Sequence, residues 1–78
     1  MIDYDNFSKR LKIIMQNNEI SAAQFAEILN VPRSSISHLL SGRNKPSLEF
    51  VLKVLKNFAG VELYWLLNGD GTYLKPDK

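Results

Sequence analysis

Asn30-Val31-Pro32 is the stretch that most restricts how this chain can fold. It separates two segments with helical apolar spacing. Upstream, Phe25, Ala26, Ile28 and Leu29 form one apolar set; downstream, Ile36, Leu39 and Leu40 stand at i, i+3 and i+4 and share a face. Asparagine tolerates the left-handed backbone better than most residues, and so ends a helix well. Proline suits a helix start, where its missing N–H costs nothing. The chain is therefore expected to turn tightly around Asn30-Val31 between two short helices. Ser21-Ala22-Ala23-Gln24 has the S-x-x-Q form of a capping box and opens the upstream helix. The downstream helix is expected over Pro32 to Ser41, with Gly42 closing it.

The remaining elements follow the same rules. Tyr4, Phe7, Leu11 and Ile14 recur at helical spacing, with Lys9, Arg10 and Lys12 between them, so a first amphipathic helix is expected from about Asp5 to Asn17. Asp3 and Asp5 are candidate caps that suit the positive end of the helix dipole. Asn17-Asn18 breaks the pattern. Ser47 is a good N-cap for a fourth helix whose apolar residues are Leu48, Val51, Leu52, Leu55 and Phe58, ended by Gly60. Val61 to Asn68 reads as a short fifth helix before the turn "NGDG". Residues 72–78 read as an irregular tail. No segment alternates strongly enough to be a strand. The expectation is an all-α chain, one domain over residues 1–78 with its core in 5–71, and with Phe25, Ile36, Leu39 and Leu52 inside.

Composition then removes whole classes of function. Seventy-eight residues suit one domain with one modest core, and 45% hydrophobic content makes that core feasible. The chain has no cysteine and a single histidine, His38, so neither disulfides nor a cysteine or multi-histidine metal site is expected, and no cofactor is implied. "MIDYDNFSKR" lacks the pattern of a signal peptide, and Leu63-Tyr64-Trp65-Leu66-Leu67 is far too short to span a bilayer. A soluble, cytoplasmic protein with no membrane role is expected. Catalysis is not: no phosphate-binding loop or dinucleotide fingerprint occurs, and the adjacent Ser37 and His38 diverge by roughly 100° on a helix. The net charge is only +2, yet from Val31 to Leu48 the chain carries Arg33, Arg43 and Lys45 and no carboxylate. Such a local basic patch attracts phosphate even on a nearly neutral protein.

A pair of helices crossing closely at a tight turn makes particular demands. A small residue is needed where they meet, and Ala26 fits. The turn needs positive φ, which Asn30 supplies. The second helix must pin its inner face, which Ile36 can do, with Phe25, Leu29, Val31 and Leu39 around it. Together with "FAEILNVPRSSIS", "SGRNKPS" and "WLLNGDG", these residues resemble the phage repressor and Cro-like family, or XRE-type helix-turn-helix family, over roughly residues 7–71.

That resemblance implies a compact five-helix, lambda repressor-like bundle containing a helix-turn-helix. It makes the helix from Pro32 to Ser41 the recognition helix, lying in the major groove of double-stranded DNA. Arg33, Ser34 and His38 match the family's main base-reading positions, with Ser35 and Ser37 close by. Phosphate contacts are implied for Ser21 with the amides after it, and for the loop of Gly42, Arg43, Asn44 and Lys45. Two departures stand out. Ala22 occupies the place where many members clamp a phosphate with glutamine, and Gln24 has its own reading as the back-reaching partner of the capping box. Met15 stands where many members carry an arginine. Related proteins bind paired half-sites as dimers, with recognition helices about 34–36 Å apart. A homodimer is expected through residues 58–67, with Val61, Tyr64, Trp65 and Leu67 as candidates, although Trp65 can equally plug the far end of the bundle. The functional expectation is a sequence-specific transcriptional regulator acting as a repressor. The alternatives are an antitoxin-like regulator that also binds a protein toxin, and a helical interaction module without DNA binding.

Overall fold

The computed structural model describes residues 4–74, with side chains from Asn6 onward. The expected caps Asp3 and Asp5 and the side chain of Tyr4 lie outside that description. Five helices follow in order: α1 (Tyr4–Asn17), α2 (Ala22–Leu29), α3 (Arg33–Leu40), α4 (Leu48–Asn57) and α5 (Leu63–Asn68). Among the described residues the sole β pairing is an isolated antiparallel bridge between Val61 and Leu74. The chain is thus an all-α bundle, as the spacing of its apolar residues predicts.

One core joins all five helices. Phe7, Leu11 and Ile14 of α1, Phe25, Ala26 and Leu29 of α2, and Ile36 and Leu39 of α3 are buried together with Phe50, Val51 and Val54 of α4 and Leu66 of α5. Aromatic rings tie distant segments across it. Phe7 meets Phe50 edge to face at 6.5 Å, and Phe25 meets Phe58 at 5.6 Å between centroids. Offset and edge-on ring geometries of this kind add to the gain from burial. Ala26 is fully buried, in keeping with the need for a small side chain in the α2–α3 unit.

Helix α4 corrects one expectation. Its buried residues are Phe50, Val51 and Val54, whereas Leu52, expected inside, is 55% exposed and Leu48 is 74% exposed. The helix is apolar over more of its circumference than the core can cover. Both the Leu48-Leu52-Leu55 row and the Phe50-Val51-Val54 set are helical stripes, and the core took the second.

Arg10 of α1 is buried as well. Although it falls among the charged residues between the apolar positions of α1, Arg10 is only 5% exposed. It lies three residues after Phe7 and four before Ile14, so it belongs to the inward stripe. Its Nε donates to the Leu66 carbonyl at 2.7 Å and its Nη2 to the Leu67 carbonyl at 2.9 Å. The guanidinium carbon stands 6.0 Å from the centre of the Phe7 ring. A permanent cation thereby binds carbonyls near the end of α5, where the helix dipole is negative.

The end of α1 carries backbone strain that is invisible in the apolar pattern. Glu19 has φ 54°, in the left-handed region. Its N–H donates to Gln16 O at 3.2 Å and that of Ile20 to Met15 O at 3.1 Å, a Schellman closure in which glycine is the usual residue. Glu19→Gly is expected to raise stability by about 0.5–1 kcal/mol, since relief of the left-handed penalty exceeds the extra chain entropy of glycine. Urea unfolding checks this; an unchanged or lowered midpoint would show that Glu19 is not strained.

Part of the expected irregular tail is anchored. The Glu62 N–H donates to the Tyr73 carbonyl at 2.9 Å, and Tyr73 packs edge to face on Trp65 with ring centres 4.8 Å apart. Burial pushes the Tyr73 phenol up from its ordinary range, opposed by a hydrogen bond with Asn18. Glu62 also caps α5, its Oε1 accepting from the Tyr64 and Trp65 amides.

Candidate nucleic-acid interface

The turn between α2 and α3 is fixed by Asn30, with φ 57° and ψ 49°. Its N–H reaches the carbonyls of Ala26 and Glu27, and the Val31 N–H donates to Ala26 O at 3.0 Å. Pro32 follows in extended conformation at the N-cap position, so α3 begins at Arg33 rather than at Pro32 and ends at Leu40 rather than at Ser41. Proline has no side-chain oxygen, and α3 has no side-chain cap. The positive end of α3 therefore lies beside Arg33 without a neutralising carboxylate in its first turn.

Burial divides α3 sharply. Ile36 and Leu39 face the core, while Arg33, Ser34 and Ser37 are exposed, and Ser35 and His38 are half-buried. Ser41, just past the helix, is exposed as well. The far end closes by a Schellman pattern: Gly42 N–H donates to Leu39 O at 3.2 Å, and Arg43 N–H to His38 O at 2.9 Å. Gly42 takes φ 79°, a conformation that L side chains rarely adopt. This reversal sends Arg43, Asn44 and Lys45 into an exposed loop directly after the helix.

Two shallow clefts flank α3. One, between the first turn of α2 and α3, is lined by Ala22, Ala23, Arg33, Ser37, Leu40 and Ser41. The other lies between α3 and the start of α4; Ser35, Asn44, Lys45 and Ser47 contribute to it, as do Glu49 and Lys53, whose charges oppose each other. The fold thus gathers residues from both predicted groups around one helix. Arg33 and Ser37 share the first cleft, and Ser35 shares the second with Asn44 and Lys45. Ser21 caps α2 beside the first cleft: its Oγ accepts from the Gln24 N–H at 3.1 Å, and Gln24 Oε1 accepts from the Ser21 N–H at 2.7 Å. Gln24 is therefore occupied by the capping box. Ser21 keeps its hydroxyl hydrogen for another acceptor.

Sequence reasoning missed the openness of the first cleft. Its signal was present: two alanines begin α2, and neither is long enough to fill the space against α3. Met15, in place of an arginine, packs partly buried against the core.

The expected dimer candidates separate. Val61 is 2% exposed and bridges to Leu74, so it offers no surface, contrary to expectation. Its neighbours in the core and the Leu74 strand contact account for that burial. Trp65 is half-buried against Tyr73, and Leu67 is half-buried with its carbonyl held by Arg10. Tyr64 alone of the four is strongly exposed, at 63%.

A left-handed turn between two crossing helices, with the second presenting a polar face between clefts, defines a helix-turn-helix module, a class built for binding DNA. The chain belongs to the XRE-type helix-turn-helix family: the helix-turn-helix family model HTH_3 matches residues 11–66. In fold it is similar to a transcriptional regulator from Listeria innocua, at a TM-score of 0.69 and 24% sequence identity. The likeness covers 91% of this chain but 64% of that one, so this chain spans less than two thirds of its length. No curated protein matches the chain in sequence.

Proposed function

We propose that this chain is a cytoplasmic transcriptional repressor that binds double-stranded DNA sequence-specifically, reading the major groove with α3. The observation that carries this reading is the division of α3: an inward edge of Ile36 and Leu39, and an outward edge of Arg33, Ser34 and Ser37 flanked by two shallow clefts. Arg33 donates two hydrogen bonds to guanine O6 and N7, the commonest specific contact in this groove. Ser34 and His38, helped by Ser35 and Ser37, read neighbouring base edges. Ser21 with the amides of Ala22 and Ala23 holds one phosphate at the start of α2. Arg43, Asn44 and Lys45 hold others from the loop after α3.

Two copies bind together on adjacent half-sites. The longest dimension of the molecule is 36 Å, comparable to one turn of DNA, so one copy can occupy each half-site. Tyr64 and Leu67 lie on the segment first expected to form this contact.

Selecting duplexes from a random pool and footprinting the winner tests the reading. A two-fold symmetric site is expected, with observed affinity falling linearly on a log–log plot against salt. Lys45→Ala should weaken every duplex alike and reduce the salt slope by about one per copy. Recovery of no preferred duplex, or salt-insensitive binding, would favour a helical interaction module instead.

A further inference from the structure

The core leaves one apolar row uncovered. Leu48, Leu52 and Leu55 stand at i, i+4 and i+7 on α4 and share one face. Leu48 and Leu52 are exposed and Leu55 is half-buried. Contiguous exposed apolar surface of this kind marks an interaction site more often than an incidental feature. Beside the row lie two exposed charges, Glu49 and Lys56, seven residues or two turns apart and so on one flank. Glu49 reaches Lys53 at 3.9 Å, yet its side chain remains 82% exposed.

We infer that this row is the surface on which a second copy of the chain docks, with the two α4 helices antiparallel about a two-fold axis near Leu52. This deepens the two-copy reading above and replaces residues 58–67 as the main contact. The pattern is self-complementary only in that arrangement. Antiparallel pairing sets Leu48 against the partner's Leu55 and Leu52 against its own counterpart. It also sets Glu49 beside Lys56 of the partner subunit, twice by symmetry. Parallel pairing would place the two copies' Glu49–Lys56 flanks on opposite sides of the interface and so forgo both ion pairs. A two-fold interface must match itself, and this one does in the register of its leucines and its charges.

Three leucines per copy cover a few hundred Å², short of the roughly 800 Å² per partner of a standard stable interface. The dimer is accordingly weak in solution, with a Kd of roughly 10 µM to 1 mM, and is consolidated when adjacent half-sites raise the effective concentration.

Sedimentation equilibrium of the full chain without DNA, up to about 1 mM, provides the test. Its outcome is independent of DNA recognition. The wild type should dimerise in that range. Leu52→Lys should weaken the dimer by at least roughly tenfold, through lost apolar contact and like charges at the axis. Glu49→Lys and Lys56→Glu should each weaken it by about two- to fivefold per charge pair, and the double exchange should restore it. These side chains are exposed, so circular dichroism and melting should stay near wild type for each variant. A wild type that remains monomeric throughout overturns the inference, as does a Leu52→Lys variant that dimerises normally. So does a double exchange no better than the single changes. Loss of a co-purifying protein by Leu52→Lys, with self-association intact, assigns the row to another partner and equally refutes it.

Discussion

Arg10→Met is expected to destabilise the chain by about 2–4 kcal/mol, the largest effect of any substitution outside the apolar core. Methionine approximates the length of arginine, so the change removes hydrogen bonds rather than opening a large cavity. The carbonyls of Leu66 and Leu67 then lose the donors that hold them at 2.7 and 2.9 Å. A buried carbonyl without its partner costs about 1–3 kcal/mol. Helix α5 has six residues and cannot persist on its own propensity, so it depends on this tether and on Leu66. The same site constrains Gly69: a Cβ there would lie 3.5 Å from the Arg10 guanidinium. Thermal unfolding should show a fall in Tm of more than about 10 °C, given some 4–8 °C per kcal/mol in a domain of this size. Hydrogen exchange should report early loss of α5 protection. Arg10→Lys should rescue only part, because one ammonium lacks the planar fork that spans both carbonyls. A melting point near wild type for Arg10→Met would mean that α5 is held by packing alone.

Arg33→Ala is expected to flatten preference at one base pair of each half-site, by about 1–3 kcal/mol or roughly 5- to 150-fold in relative affinity. Arg33 is exposed at the start of α3 and packs into no part of the core, so folding should be unaffected. Competition binding against every single-base variant of the selected site measures the effect. The preference should vanish at one position and survive at the others. Equal loss on all sequences would make Arg33 a phosphate contact rather than a base reader.

The elements themselves were legible because their punctuation is local. Asn30, Gly42, the Ser21–Gln24 box and the Ser47 cap are each set by the backbone needs of a few residues, and each appears as the chain predicts. The division of α3 was legible too, since Ile36 and Leu39 leave its serines on the other side. What sequence could not supply depended on which of two competing faces a neighbour would cover. Helix α4 carries two apolar stripes, and pattern alone does not say that Phe50 goes inward with Val51 and Val54 while Leu52 stays out. Arg10's burial is not apparent from residue type, since arginine is so seldom buried, although its spacing from Phe7 and Ile14 places it on the inner stripe. Val61 looked available for the same reason in reverse: the bridge from Leu74 that covers it comes from a tail with no pattern of its own. The base-reading and phosphate-holding assignments came from the family resemblance, and the fold adds their common location around α3.

Methylation interference tests the central claim, that the outer edge of α3 enters the major groove with Arg33 on a guanine. Guanine N7 lies in that groove, so methylating it at the read position blocks the contact directly. One methylated guanine per half-site is expected to abolish wild-type binding and to have no effect on Arg33→Ala binding. Interference confined to adenine N3 in the minor groove, or equal sensitivity of both proteins at every guanine, would contradict it.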